Sequence, residues 1–116
     1  MPTLTLNLTA TGATTRKLDV RNMTRLAARF VQTATTYAWG AAVAKLQYSV
    51  DPAADAASWA DLPASYEFSS GEEDNHRLSI GGVLFVRFVT KTSATTADPS
   101  IRIDTTLSGQ ETGSRP

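Results

Sequence analysis

The stretch GEEDNHR, residues 71 to 77, gathers the chain's one histidine, His76, with Glu72, Glu73 and Asp74, the types that move protons or hold metals. A zinc site would draw on several histidines or cysteines, and this chain has a single histidine and no cysteine. Hard oxygen ligands suit calcium better, here and at Asp51 and Asp55, but neither stretch has the D-x-[DN]-x-[DN]-G spacing of a calcium loop. The segment therefore reads as a solvated acidic turn. There is no G-x-S-x-G around a serine. Gly81-Gly82 precedes a strand, where a phosphate loop would precede a helix. No enzyme activity, metal or cofactor is expected.

Two tryptophans offer a different chemistry. Trp39 or Trp59 could stack on a sugar face, with Asp61, two residues beyond Trp59, accepting hydroxyl hydrogen bonds; a carbohydrate-binding module is the alternative reading. Against it, a tryptophan re-entering a strand after a loop is commonly a core plug, and Leu46, Tyr48, Trp59 and Leu62 together read as core. Arg16, Arg21, Arg25 and Arg29 raise nucleic-acid binding, but the sequence pI is about 6.6 and few aromatics accompany them. Neither nucleic acid nor membrane is expected as a partner.

The formal net charge of zero conceals a division. Residues 1–50 carry six basic side chains (Arg16, Lys17, Arg21, Arg25, Arg29, Lys45) against Asp19. Residues 51–85 carry seven acids (Asp51, Asp55, Asp61, Glu67, Glu72, Glu73, Asp74) against Arg77. Complementary patches of this kind can steer one copy onto another or onto a partner. The same residues can instead neutralise each other on one surface, where exposed pairs contribute little.

The elements that must carry these residues are strands. Apolar residues recur with period two at Leu4, Leu6, Leu8; at Leu18, Val20; at Ala44, Leu46, Tyr48, Val50; and at Ile101, Ile103, Leu107. MPTLTLNLTA thus reads as a strand and not as a signal peptide. The segment VRNMTRLAARFVQ also fits a helical stripe, but the strand-favouring TATTY beyond it decides for a turn at 21–24 and a strand at 25–33. HRLSI and VLFVRFVTK, joined at Gly81-Gly82, read as a hairpin. The second strand, apolar on both faces until Arg87, is placed at the centre of its sheet. SGQETGSRP has nothing to bury and reads as a tail after residue 107.

With 116 residues, 8% aromatics and seventeen each of threonine and alanine, one core is expected, built of small and β-branched side chains around few large anchors. Eight or nine short strands imply an all-β, antiparallel two-sheet sandwich over residues 1–107, Ig-like or jelly-roll-like, with residues 1–15 as a strand-plus-turn arm.

Read in order, KLDV, RLAARFVQ, AKLQYSVD, SWADLP, LSIGGVLFVRFVT and SIRIDTTL resemble a pattern of small structural proteins of tailed bacteriophages. In that pattern an L-D-V strand is followed by S-x-D, then W-x-x-L, then F-V-R after a glycine turn. These fall at Leu18 to Val20, Ser49 to Asp51, Trp59 to Leu62 and Phe85 to Arg87, within roughly residues 16–107. The longer PAADAA replaces the family's tight glycine turn, so no turn-based binding feature carries over. The resemblance implies a virion component made in the host cytoplasm. It would be a capsid decoration or cement protein, or one at a head or tail attachment point, contacting the major capsid protein or another virion protein and associating with itself. Interface candidates are Leu4, Leu6 and Leu8, whose strand could join a neighbour's sheet, with Arg21, Arg25, Arg29, Asp51, Asp55, Glu72, Glu73 and Asp74.

Overall fold

The computed structural model describes residues 3–31, 42–53, 56–63, 66–68, 75–94 and 101–110. Nine strands run β1 (Thr3–Leu6), β2 (Leu18–Asp19), β3 (Met23–Val31), β4 (Val43–Ser49), β5 (Ala60–Asp61), β6 (Glu67–Phe68), β7 (Asn75–Ser79), β8 (Phe85–Thr92) and β9 (Ile101–Gln110), with a 3-10 turn at Ala56–Ser58. They form two antiparallel sheets, one ordered β1-β9-β3-β7 and one ordered β2-β8-β4-β5, with β6 also on β4. The fold is the expected all-β sandwich.

Its connectivity follows from pairing the first half of the chain with the second in reverse. β1 pairs with β9, β2 with β8, β3 with β7, and β4 with β5 and β6. This long antiparallel ribbon is wrapped so that β3 also meets β9 and β4 also meets β8. Successive strands outside the β4 to β6 bend therefore alternate between sheets, which is the jelly-roll arrangement.

That wrapping overturns the hairpin at Gly81-Gly82. β7 lies in one sheet and β8 in the other, so the two glycines carry the chain across the sandwich. Gly82, at φ 86°, supplies the left-handed residue this turn needs. The same turn chemistry serves a hairpin and a crossing, and only the distant partners β3 and β2 distinguish them.

The alternation falls as expected on β3, where Leu26, Ala28 and Phe30 are buried and Arg25 and Arg29 exposed, although the strand starts earlier, at Met23, after Asn22 turns at φ 61°. β8 is flanked on both sides, by β2 and β4, as its apolar run predicts. The large anchors meet between the sheets: Phe30 lies 5.1 Å from Phe68 and 5.6 Å from Phe88, centroid to centroid. The edge-to-face geometry of the second pair, 83° between planes, favours the ring quadrupoles.

Three further expectations are corrected. Leu4, Leu6 and Leu8 are at most 1% exposed, packed in the chain's own core, so their side chains cannot form an interface. The expected arm over residues 1–15 is likewise not separate where it is described, from Thr3 on: β1 is laddered to β9, and Gly12, Ala13 and Thr15 hydrogen-bond to the backbone of Phe88 and Thr90. Finally, β9 continues to Gln110, opposite Met23, so residues 108–110 belong to the sheet and not to the expected tail.

Candidate functional site

Strand register decides which side chains share each outer face. On the five-stranded sheet, Gln47 stands between Arg87 and Asp61, and Lys45 between Val89 and Glu67. Arg87 Nε donates to Gln47 Oε1 at 2.9 Å, Gln47 Nε2 donates to Asp61 Oδ1 at 2.9 Å, and Lys45 Nζ reaches Asp61 Oδ2 at 3.0 Å. Lys91 Nζ holds both oxygens of Glu67, at 3.1 and 2.9 Å. The bond from Gln47, aided by Lys45, holds the Asp61 carboxyl below its ordinary pKa, while burial lowers that of Arg87.

Trp59 belongs to this face. It is half-buried and stands outside the inter-sheet core, with the Arg87 guanidinium 4.4 Å from its ring centroid. Its assignment to the core is therefore corrected: Leu46 is in the core, Tyr48 and Leu62 pack at its margin, and Trp59 covers the other side of the sheet. The 3-10 turn that delivers it is anchored by Ser58 Oγ against Ser49 Oγ at 2.8 Å. Asp51 accepts from the Ala53 amide at 3.0 Å, in the turn that directly follows β4.

At the other end of the face, Phe85 is 4% exposed although it points away from the core. Lys17 and Arg21 lie over its ring, at 4.7 and 5.2 Å. Arg21 also pairs with Asp19 at 3.4 Å, so it is separated from Arg25 and Arg29, with which the sequence grouped it. On this sheet Asp19, Asp61 and Glu67 each have a basic partner, and of these pairs Lys45–Asp61 is the one that joins the basic stretch 1–50 to the acidic stretch 51–85.

The four-stranded sheet is different. Its outer face carries Arg25 and Arg29 from β3, Arg77 from β7 and Arg102 from β9, among exposed Thr3, Thr5, Ser79, Thr106 and Ser108. Its one described acid, Asp104, is taken by Arg102 at 3.2 Å. Among the described residues no ion pair reaches Arg25, Arg29 or Arg77. Arg77 stands opposite Ala27, midway between Arg25 and Arg29, and a shallow groove of about 210 Å³ opens between Arg25, Arg77, Leu78 and Ser79.

Of the residues singled out in the sequence, Arg25 and Arg29 thus share one face, while Arg21, Trp59 and Asp61 share the other. Asp55, Glu72, Glu73, Asp74 and Trp39 lie outside the described residues, as does the side chain of His76. Among the described residues no three histidine, aspartate or glutamate side chains cluster as a metal site would require, and no helix is long and apolar enough to cross a membrane. Arg77, Arg87 and Gln47 were missed as site residues, because each acquires its meaning only from cross-strand register.

No protein-family model, curated protein or solved structure matches this chain. The functional reading accordingly rests on the two faces.

Proposed function

We propose that this chain is a non-enzymatic structural protein of a tailed-bacteriophage particle, a capsid decoration or head-associated protein that works by binding other virion proteins. The observation that carries the reading is the contrast between its outer faces. One sheet pairs Asp19, Asp61 and Glu67 with basic side chains and covers its own aromatics, while the other presents Arg25, Arg29 and Arg77 without acidic partners among the described residues. An exposed face on which four arginines outnumber the one described acid sets orientation and encounter rate for an oppositely charged surface. The jelly roll adds an analogy of fold, since capsid and lectin domains both use it, and fold alone does not choose between them.

The state of Trp59 and Asp61 favours this reading over sugar binding. Arg87 covers one face of the indole, and both Asp61 oxygens already accept bonds from Gln47 and Lys45. A sugar would have to displace contacts that the sheet makes for itself.

The test is to purify particles from cells carrying the genome that encodes the chain, then to search them by mass spectrometry and immunogold labelling. Regular surface labelling at constant copy number is the expected result. Particles that form without the chain would overturn the reading.

A further inference from the structure

Resting on the reading of this chain as a binding protein, the partner of the arginine face can be specified. β7 is an edge strand: it pairs with β3, and among the described residues no strand pairs with its other side, where the Ser79 carbonyl at one end accepts from Tyr66 Oη at 2.8 Å. An unpaired edge offers backbone donors and acceptors to another extended chain. We propose that this edge accepts an extended acidic segment of a partner protein as an added strand, with carboxylates at alternate positions read by Arg77, Arg25 and Arg29.

The register supports the spacing. Outward-facing residues on an extended chain recur every ~6.8 Å, and strands lie about 4.8 Å apart. On the two existing strands Ser79 is level with Arg25, Arg77 with Ala27, and Asn75 with Arg29. A carboxylate level with Arg77 would meet it directly across the new ladder. The next outward residue on one side would reach over Ser79, whose short side chain lines the groove, to Arg25. The one on the other side would extend toward Arg29, roughly 13 Å from Arg25 along the strand. Guanidinium groups suit this role because their planar forks bind carboxylates in two-point fashion.

Polypeptide fits better than nucleic acid. Only a polypeptide can use the β7 edge, and the face holds Asp104 and no described aromatic for base stacking. A formal net charge of zero also gives little long-range attraction for a polyanion.

The probe is a fluorescein-labelled peptide alternating threonine and glutamate, followed by anisotropy. Its comparators are an isomer with contiguous glutamates, a copy N-methylated at alternate amides, and single-stranded DNA of equal charge. Because Glu72, Glu73 and Asp74 precede β7 in the sequence, binding is measured in the wild type and in E72Q/E73Q/D74N. The alternating peptide is expected to bind in at least one background, with Arg77→Ser, Arg25→Ser and Arg29→Ser each weakening it about fivefold. Arg102→Ser, whose guanidinium is engaged by Asp104, should change little. Circular dichroism checks that each variant is folded.

Binding in neither background, equal binding of the contiguous or N-methylated peptide, tighter binding of DNA, or indifference to the arginine substitutions would each overturn the proposal. Its failure is distinguishable from failure of the functional reading. Labelled particles with no peptide binding would remove only the strand-addition site, whereas peptide binding with unlabelled particles would remove only the virion assignment.

Discussion

Arg87 stacks its guanidinium over Trp59 at 4.4 Å while its Nε holds Gln47, so one side chain ties the loop before β5 to the middle of the five-stranded sheet. The indole covers the charge, and the charge fixes the indole. This relationship makes Trp59 a cover for the sheet and explains why an arginine interrupts the apolar run from Phe85 to Val89 on β8.

A double-mutant cycle tests it. Trp59→Ala and Arg87→Ala should each lower the urea midpoint, with a coupling of about 1 kcal/mol, the size of a partly desolvated cation–π contact. Circular dichroism is the readout, since the substitution removes a fluorophore. A coupling near zero would mean the loop is held without help from the Arg87–Trp59 contact.

Asp61 gives the pH dependence. Its folded pKa is depressed, first by the hydrogen bond from Gln47 and then by that from Lys45, so its contribution is present above the ordinary value of 3.8 and disappears as pH falls through the folded value. Asp61→Asn should therefore be less stable than wild type near neutral pH, by about 0.5 kcal/mol for so exposed a pair. The gap should close below about 3.8. Comparing the two proteins at each pH isolates this group from Glu67 and Asp104, which are common to both. A gap that persists unchanged into acid would assign the loss to packing.

Period two in the sequence was enough to place Leu26, Ala28 and Phe30 inward and Arg25 and Arg29 outward, because burial of one sheet face imposes that alternation directly. It could not say which strands pair, since a jelly roll joins residues as distant as Leu4 and Ile103. The mistaken hairpin at Gly81-Gly82 and the grouping of Arg21 with Arg25 and Arg29 both come from reading neighbours in sequence as neighbours in space. Trp59 misled for a related reason: apolar residues on β8 face both ways, and Phe85 shows that this sheet buries aromatics on its outer side too. The candidate arginine face was half legible, in its β3 residues; Arg77 joins it only through pairing opposite Ala27.

The N-terminal segment now carries a definite expectation. Deleting residues 1–10 removes three fully buried leucines, each stabilising by about 1.5–3 kcal/mol, and the Asn7 carbonyl that accepts from Thr90 Oγ1 at 2.6 Å. That loss is comparable with the whole stability of a small domain, so the truncated chain should lose its cooperative thermal transition. Leu6→Ala alone should cost about 2–5 kcal/mol, whereas exposed Thr5→Lys on the same strand should be nearly neutral. A truncated chain that melts like wild type would restore the separable arm.

The end of β9 supplies the sharpest test of the extended strand. Gly109 adopts φ 72°, its carbonyl accepts from Thr24 Oγ1 at 3.0 Å, and a Cβ placed on it would collide with that same hydroxyl oxygen. Gly82 has a similar φ of 86° but open space around its missing Cβ. Both substitutions to alanine incur backbone strain, of about 1–3 kcal/mol, and only the one at 109 adds the collision. Gly109→Ala should therefore lower the urea midpoint more than Gly82→Ala does. Adding Thr24→Ala should recover part of the loss at 109 and none at 82, because it relieves the collision and leaves the backbone strain. If Gly109→Ala is as stable as wild type, β9 ends before residue 109 in solution, and the expected boundary near residue 107 is restored.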